Sequence, residues 1–365
     1  MMKRIPIYQP SIGIEEKENV NKCLDSTWIS SKGEFIEKFE REFSKKFNCT
    51  YSTTVTNGTV ALHLALLALG VKEGDEVIVP TLTYVASVNA ILYVGATPVF
   101  VDCDKDTWQL SIEEVEKKIT PKTKAILAVH LYGQPADMLS LMKIAEEKDV
   151  YVIEDCAEAI GSKIDGEFVG NFGHVSTFSF FGNKTMTTGE GGMVCSNIKS
   201  IIDRVARLKT QGLASHREYW HDIVGYNYRM TNICAAIGLA QLNKVDGFIR
   251  KKQDIAKKYK QCLANLPLGF QGESDNTTHT HWMFSILVDD VSKRDELRAF
   301  LNESGIETRP VFYSIHSMPT YNKYFGFFKN SDEISSRGIN LPSYPDLTDE
   351  DIDYISDKIR EYFSK

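Results

Sequence analysis

One lysine stands out by its surroundings. Lys184 lies in Ser-Phe-Phe-Gly-Asn-Lys-Thr-Met-Thr-Thr-Gly-Glu-Gly-Gly, residues 179–192, between two apolar runs. Burial among small and hydroxyl residues would disfavour its ammonium form and leave a nucleophilic amine. A surface lysine in a hairpin is the ordinary alternative. Two earlier features bear on the choice. Asn57-Gly58-Thr59 sits where a strand pattern turns helical. Gly58 allows close backbone approach, and the N–H groups of a helix start, with the Thr59 hydroxyl, favour a phosphate. A plain helix cap fits the same residues. Asp155 ends the run Tyr-Val-Ile-Glu-Asp. An acid at the tip of a buried strand needs a partner, such as a cationic ring nitrogen; capping the next helix is the other reading. The order of parts favours the chemical readings: phosphate turn, aromatic loop, strand-end aspartate, lysine loop. Neither GxxxxGK[ST] nor GxGxxG occurs, which argues against a P-loop or a Rossmann dinucleotide site.

The elements that must position these residues alternate. Strand-like runs are expected at Ser52–Thr56, Glu76–Val79, Pro98–Val101, Ala125–His130, Tyr151–Glu154, Val175–Phe180 and Gly192–Cys195. Helical patterns separate the first of them, at Val60–Leu69, Tyr84–Tyr93, Ile112–Lys118 and Met138–Lys148. Such alternation predicts an α/β fold with a mainly parallel sheet covered on both faces. No full helix separates the last two runs, so the final strand is expected to be antiparallel. Ligands in open α/β sheets bind beyond the carboxyl ends of the strands, where Gly58, Thr59, Tyr84, Asp155, Ser179 and Lys184 fall. After Asp246 the charge density rises, which predicts a long solvated connecting helix. A strand at Trp282–Val288 and helices at Arg294–Ser304 and Asp349–Phe363 then describe a smaller α/β unit. The division expected is residues 1–245 as a large domain with the N-terminal segment, and 246–365 as connecting helix and small C-terminal domain.

The chain has 365 residues and a formal charge of -7, which argues against a broad nucleic-acid or membrane surface. Seven scattered cysteines without a CxxC pair read as reduced thiols of a cytoplasmic protein. The opening MMKRIPIYQPSIG carries no apolar stretch after its basic residues, so no secretory signal is expected. His279 and His281 alternate like a metal pair but lack a third ligand at sensible spacing; they are read as structural, and no metal is expected.

The strings NGTVALHLALLALG, EDCAEAIGS and SFFGNKTMTTGEGGMV together resemble the sugar-nucleotide aminotransferases of pyridoxal-phosphate (PLP) fold type I. The likeness runs over almost the whole chain, through GDEVIVPTLTYVASVNAI, GYNYRMTNICAAIGLAQL and ETRPVFYSIHSMPTY. It implies a three-layer fold with a seven-stranded, mainly parallel sheet. It implies that Lys184 binds PLP covalently and later acts as the proton-transfer base, and that Asp155 pairs with the pyridine nitrogen. Tyr84 would stack on the ring, Glu158 would lie near its oxygen, and Gly58, Thr59 and Ser179 would hold the phosphate. Asn227 matches a residue that reaches the phosphate from a neighbouring subunit, which implies a homodimer with shared active sites, or a tetramer built from it. Trp28, Ser30, His316 and Tyr321 match segments bordering the sugar. Arg229 would meet the donor carboxylate or serve as an interface salt bridge. The partners implied are L-glutamate and a nucleotide-linked 4-keto-6-deoxy sugar. The family's dehydratases carry histidine where this chain has Lys184, and a non-catalytic homologue would have lost Lys184 or Asp155.

Overall fold

The computed structural model describes residues 4–364. Two helices come first, α1 (Ile14–Asp25) and α2 (Glu34–Phe47). In α2, Phe35, Phe39, Phe43 and Phe47 recur every fourth residue, which stacks them on one face; all four are buried. Strand–helix units follow: β1 (Tyr51–Val55), α3 (Gly58–Ala68), β2 (Glu76–Pro80), α4 (Val85–Tyr93), β3 (Thr97–Val101), α5 (Ile112–Lys118), β4 (Thr123–Val129), α6 (Met138–Lys148) and β5 (Tyr151–Asp155). A small hairpin, β6 (Lys163–Ile164) and β7 (Glu167–Phe168), precedes β8 (Val175–Ser179), β9 (Gly192–Ser196) and α7 (Lys199–Leu208).

Seven of these strands form one sheet in the order β1-β9-β8-β5-β4-β2-β3. All its neighbours run parallel except β9, which is antiparallel to both β1 and β8, as the missing helix before it predicts. Successive strand residues supply opposite faces. Ile126 and Val152 pack with the α2 phenylalanines, whereas Leu127 and Ile153 pack with Leu62 and Leu66 of α3. Each such side chain contributes about 1.5–3 kcal/mol when fully buried. Two faces of this kind account for the near-continuous apolar strands.

The long helix differs from its expectation. It is α8 (Asn232–Leu263), beginning well before Asp246, and the 245/246 boundary falls inside it. Nor is it solvated along its length. Ala235, Ala236 and Leu242 pack into the first core, while Ile255, Ala256, Tyr259 and Leu263 pack into a separate C-terminal one. At about 1.5 Å rise per residue, one rigid rod links the two cores.

The C-terminal part contains β10 (Leu268–Phe270), β11 (Thr277–Thr278), β12 (Phe284–Val288), α9 (Val291–Glu303), β13 (Arg309–Pro310), α10 (Lys329–Arg337), β14 (Gly338–Leu341) and α11 (Asp349–Phe363). Its sheet has the order β10-β12-β14-β13, all antiparallel. β11 instead joins the β6–β7 hairpin and ties the two parts together. The start of the chain also lies with the C-terminal core: Ile5 bridges to Ile306 and packs among its residues.

Candidate active site

A cavity of about 450 Å³ opens at the carboxyl ends of β1, β5 and β8. It brings together Gly58, Thr59, Tyr84, Asp155, Glu158, Ser179 and Lys184. The C-terminal part closes the other wall with Trp282, Met283, Arg309, Phe312 and Asn340.

Helix α3 begins at Gly58 directly against β8. A Cβ on Gly58 would lie 2.7 Å from that of Ser179, so no larger residue fits without moving the helix. The Asn57 side chain caps the helix by accepting the Val60 N–H at 3.0 Å. Gly58 and Thr59, whose N–H groups lack intrahelical acceptors, line the cavity. The helix-cap reading of this turn therefore holds, through Asn57.

Asp155 is the last residue of β5, and no helix follows it; turns do. Helix capping is therefore not its role, and Glu158 lies in those turns. Its carboxylate accepts from Ser87 Oγ of α4 at 2.8 Å and from the Ala157 N–H at 3.1 Å. Burial raises its pKa, against the opposing pull of those two bonds and of Lys184. A cation placed beside it would restore the ionised form. Glu158 accepts the Tyr132 N–H at 2.8 Å, and its other oxygen is 3.8 Å from Lys184 Nζ. That separation is an ion-pair contact, too long for a hydrogen bond. Burial pushes Glu158 up to about 7 and pushes Lys184 down, so both tend toward neutrality. A neutral buried amine is a competent nucleophile and base.

Tyr84 caps α4 at the cavity mouth, half exposed, its ring centroid 5.5 Å from that of Phe312. Trp282 places its indole 3.8 Å from Lys184 Nζ. Neither Ser87 nor Trp282 was singled out by spacing. Ser87 follows Tyr84 by three residues on one helical face, a signal legible only once Tyr84 is placed. Trp282 is nearly a hundred residues from Lys184 in the chain and left no local sign.

The remaining candidates do not line this cavity within the chain. Trp28 and Ser30 lie between α1 and α2, where their carbonyls accept from Asn232 at 2.7 and 2.6 Å. Asn227 is exposed and accepts from Arg229 at 3.0 Å. Their segment packs over α3, with Tyr226 stacked on Tyr228 and edge-on to His63. His316 is buried, bonded to Thr81 Oγ1 at 2.8 Å and tilted against Phe328. The buried Tyr321 hydroxyl bonds Asn89. His279 and His281 stack on each other, 3.7 Å between centroids, with Gln271 and Glu273 as their respective partners. All seven cysteines are free thiols.

A strand-end carboxylate, a glycine-turn helix start and a buried lysine around one cavity of a seven-stranded sheet define the aminotransferase class of α/β enzymes. The chain belongs to the DegT/DnrJ/EryC1/StrS aminotransferase family, whose model matches residues 10–360. It is 59% identical to GDP-perosamine synthase of Escherichia coli O157:H7, with 100% of both chains covered. It is 52% identical to GDP-perosamine synthase of Vibrio cholerae over 99% of each. Among solved structures, Spr1654 of Streptococcus pneumoniae in its PLP form matches with TM-score 0.94 and 27% identity, covering 99% of each chain. No helix of the described residues is long and apolar enough to cross a membrane.

Proposed function

We propose that this aminotransferase uses PLP to move an amino group from L-glutamate to GDP-4-keto-6-deoxy-D-mannose, forming GDP-perosamine. The observation that carries the cofactor reading is Lys184, Asp155 and the α3 start sharing one buried cavity. The substrate reading is supported by the full-length likeness to GDP-perosamine synthases.

The residues present fit PLP. Gly58 leaves no room for a side chain at this turn, and Asp155 is a buried carboxylate with no ion-pair partner among the described residues. When bound, PLP supplies an electron sink for carbanion formation. The α3 N–H groups, Thr59 and Ser179 would hold its phosphate, and Tyr84 would cover its ring. Asp155, drawn to its ionised form by a pyridinium, would keep the proton on the ring nitrogen. Lys184, its ammonium form disfavoured by burial, would take a proton at Nζ and return it to the substrate side. Trp282 and Phe312 would exclude water from that exchange. Asn227 and Arg229, both outside the chain's own cavity, would complete the site of a second subunit in a homodimer. Trp28 and Ser30 would join them, with His316 and Tyr321 shaping the wall behind the sugar.

Purified protein is expected to be yellow, with absorbance near ~420 nm that falls on adding L-glutamate. Lys184→Ala abolishes turnover. A colourless protein indifferent to added PLP overturns the cofactor reading. A panel of GDP-, UDP- and dTDP-linked 4-keto sugars tests the acceptor; preference for a UDP or dTDP sugar overturns the GDP assignment.

A further inference from the structure

We propose that Tyr8 and Trp282 are positioning residues that hold the Lys184 backbone so that its amine stays in the buried cavity. This rests on the reading of Lys184 as the reactive amine. Two side chains from distant parts of the chain grip consecutive carbonyls of the lysine loop. The Tyr8 hydroxyl donates to the Lys184 carbonyl at 2.6 Å. Trp282 Nε1 donates to the Asn183 carbonyl at 2.7 Å. The same indole presents its ring 3.8 Å from Lys184 Nζ, so it fixes both the peptide before the lysine and the amine beyond it.

The base of the loop is tied internally, where the Thr188 N–H and the Thr187 hydroxyl both donate to the Phe180 carbonyl, whereas the carbonyls at its tip, Asn183 and Lys184, are met from outside it. Gly182, Gly189 and Gly191 flank the lysine, and glycine leaves the backbone many conformations to lose. Within the loop, the Lys184 N–H bonds the Phe181 carbonyl at 2.9 Å. A lysine stem also has several rotatable bonds whose freedom must be given up to hold the amine in one place. The two grips come from firm ground. Tyr8 follows Ile5, which bridges to Ile306, and Ile7, whose N–H bonds Glu307 at 3.2 Å. Its ring meets Tyr344 edge-on at 6.5 Å and Lys252 Nζ at 5.3 Å. Lys252 is buried and bonds the Ser343 carbonyl. Burial holds the Tyr8 hydroxyl far above the ordinary tyrosine range, so it remains a donor at any working pH. Trp282 lies two residues before β12, which pairs with β14.

The lysine amine is driven toward its neutral form by burial, opposed by Glu158 and Asp155, the charged groups that face it. A loop free to swing outward would expose that amine to water and return it to the ammonium form. The consequence is a pH profile, which a role in folding alone would leave unmoved.

The experiment uses full-length protein freed of PLP. Pulses of trinitrobenzenesulfonate at graded pH label free amines, and mass spectrometry follows the Lys184 peptide. Tyr8→Phe and Trp282→Phe each keep a ring and leave Glu158 and Asp155 intact. Each is expected to raise the midpoint of the Lys184 labelling profile by about half a pH unit or more. The double variant should show less than the sum, because both grips act on one loop. Tyr344→Phe, which keeps the ring against Tyr8, should leave the midpoint alone. Parent midpoints in both folded single variants overturn the proposal. Should Trp282→Phe fail to fold, the isosteric Tyr8→Phe decides alone. Because labelling is done without cofactor, failure of the parent to take up PLP would sink the cofactor reading and leave this result standing.

Discussion

Glu158 carries a carboxyl raised to about 7 by burial, three residues after a second buried carboxyl. In the unfolded chain it ionises at about 4.3. Below that pH both states hold the proton and the group is neutral to stability. Between the two values the folded state keeps a proton that the unfolded state releases, so stability falls as pH rises toward about 7. Glu158→Gln in the cofactor-free protein should therefore leave thermal stability unchanged near pH 4 and raise it by roughly 1–3 kcal/mol at pH 8. Melting curves across that range check it; a uniform change at every pH would contradict it. Asp155→Asn is expected to lower kcat by ~100-fold or more, because a neutral amide no longer favours a protonated ring. Near-parental kinetics would remove the electrostatic argument.

At the scale of elements, the start of α3 against β8 is the tightest joint of the site. Gly58→Ala brings a methyl to within 2.7 Å of Ser179 Cβ, where something must shift. We expect about 1–3 kcal/mol of lost stability and weaker phosphate binding, and partial recovery of the melting temperature in Gly58→Ala/Ser179→Gly. No recovery would place the strain elsewhere. Much of this architecture was legible beforehand. The strand runs and the first helices were readable because each strand is apolar on both faces and each helix opens beside a turn residue. Lys184, Asp155 and Gly58 were readable because their residue types and order are rarely combined by accident. The start of α8 was not. Its first turns, Asn-Ile-Cys-Ala-Ala-Ile-Gly-Leu-Ala, carry no charge, and the expectation followed charge density rather than continuity of the helix. Tyr8 and Trp282 stayed hidden for a different reason: they meet the lysine loop only once distant parts of the chain are folded together.

Across the whole molecule, none of the candidate substrate residues Trp28, Ser30, Arg229, His316 and Tyr321 lines the chain's own cavity. If two copies share sites, two inactive variants should rescue each other. Refolding a mixture of Lys184→Ala and Asn227→Ala protein should recover about a quarter of parental activity, since random pairing leaves one intact site in half of the dimers. Activity no greater than the sum of the two variants alone would assign Asn227 to its own chain's site or to none.

One feature of the sheet bears on how the chain is made. Among the strands of the large sheet, β1 has β9 as its single neighbour, although residues 192–196 follow it far along the chain. A ribosome that has delivered β1 through β8 has delivered a strand still waiting for its place. β9 lies between β8 and β1, and the loop that precedes it brings Lys184 into the cavity that Gly58 also lines. A nascent chain stopped short of that strand would therefore lack both the partner of its edge strand and the closed cavity in which Lys184 is proposed to act.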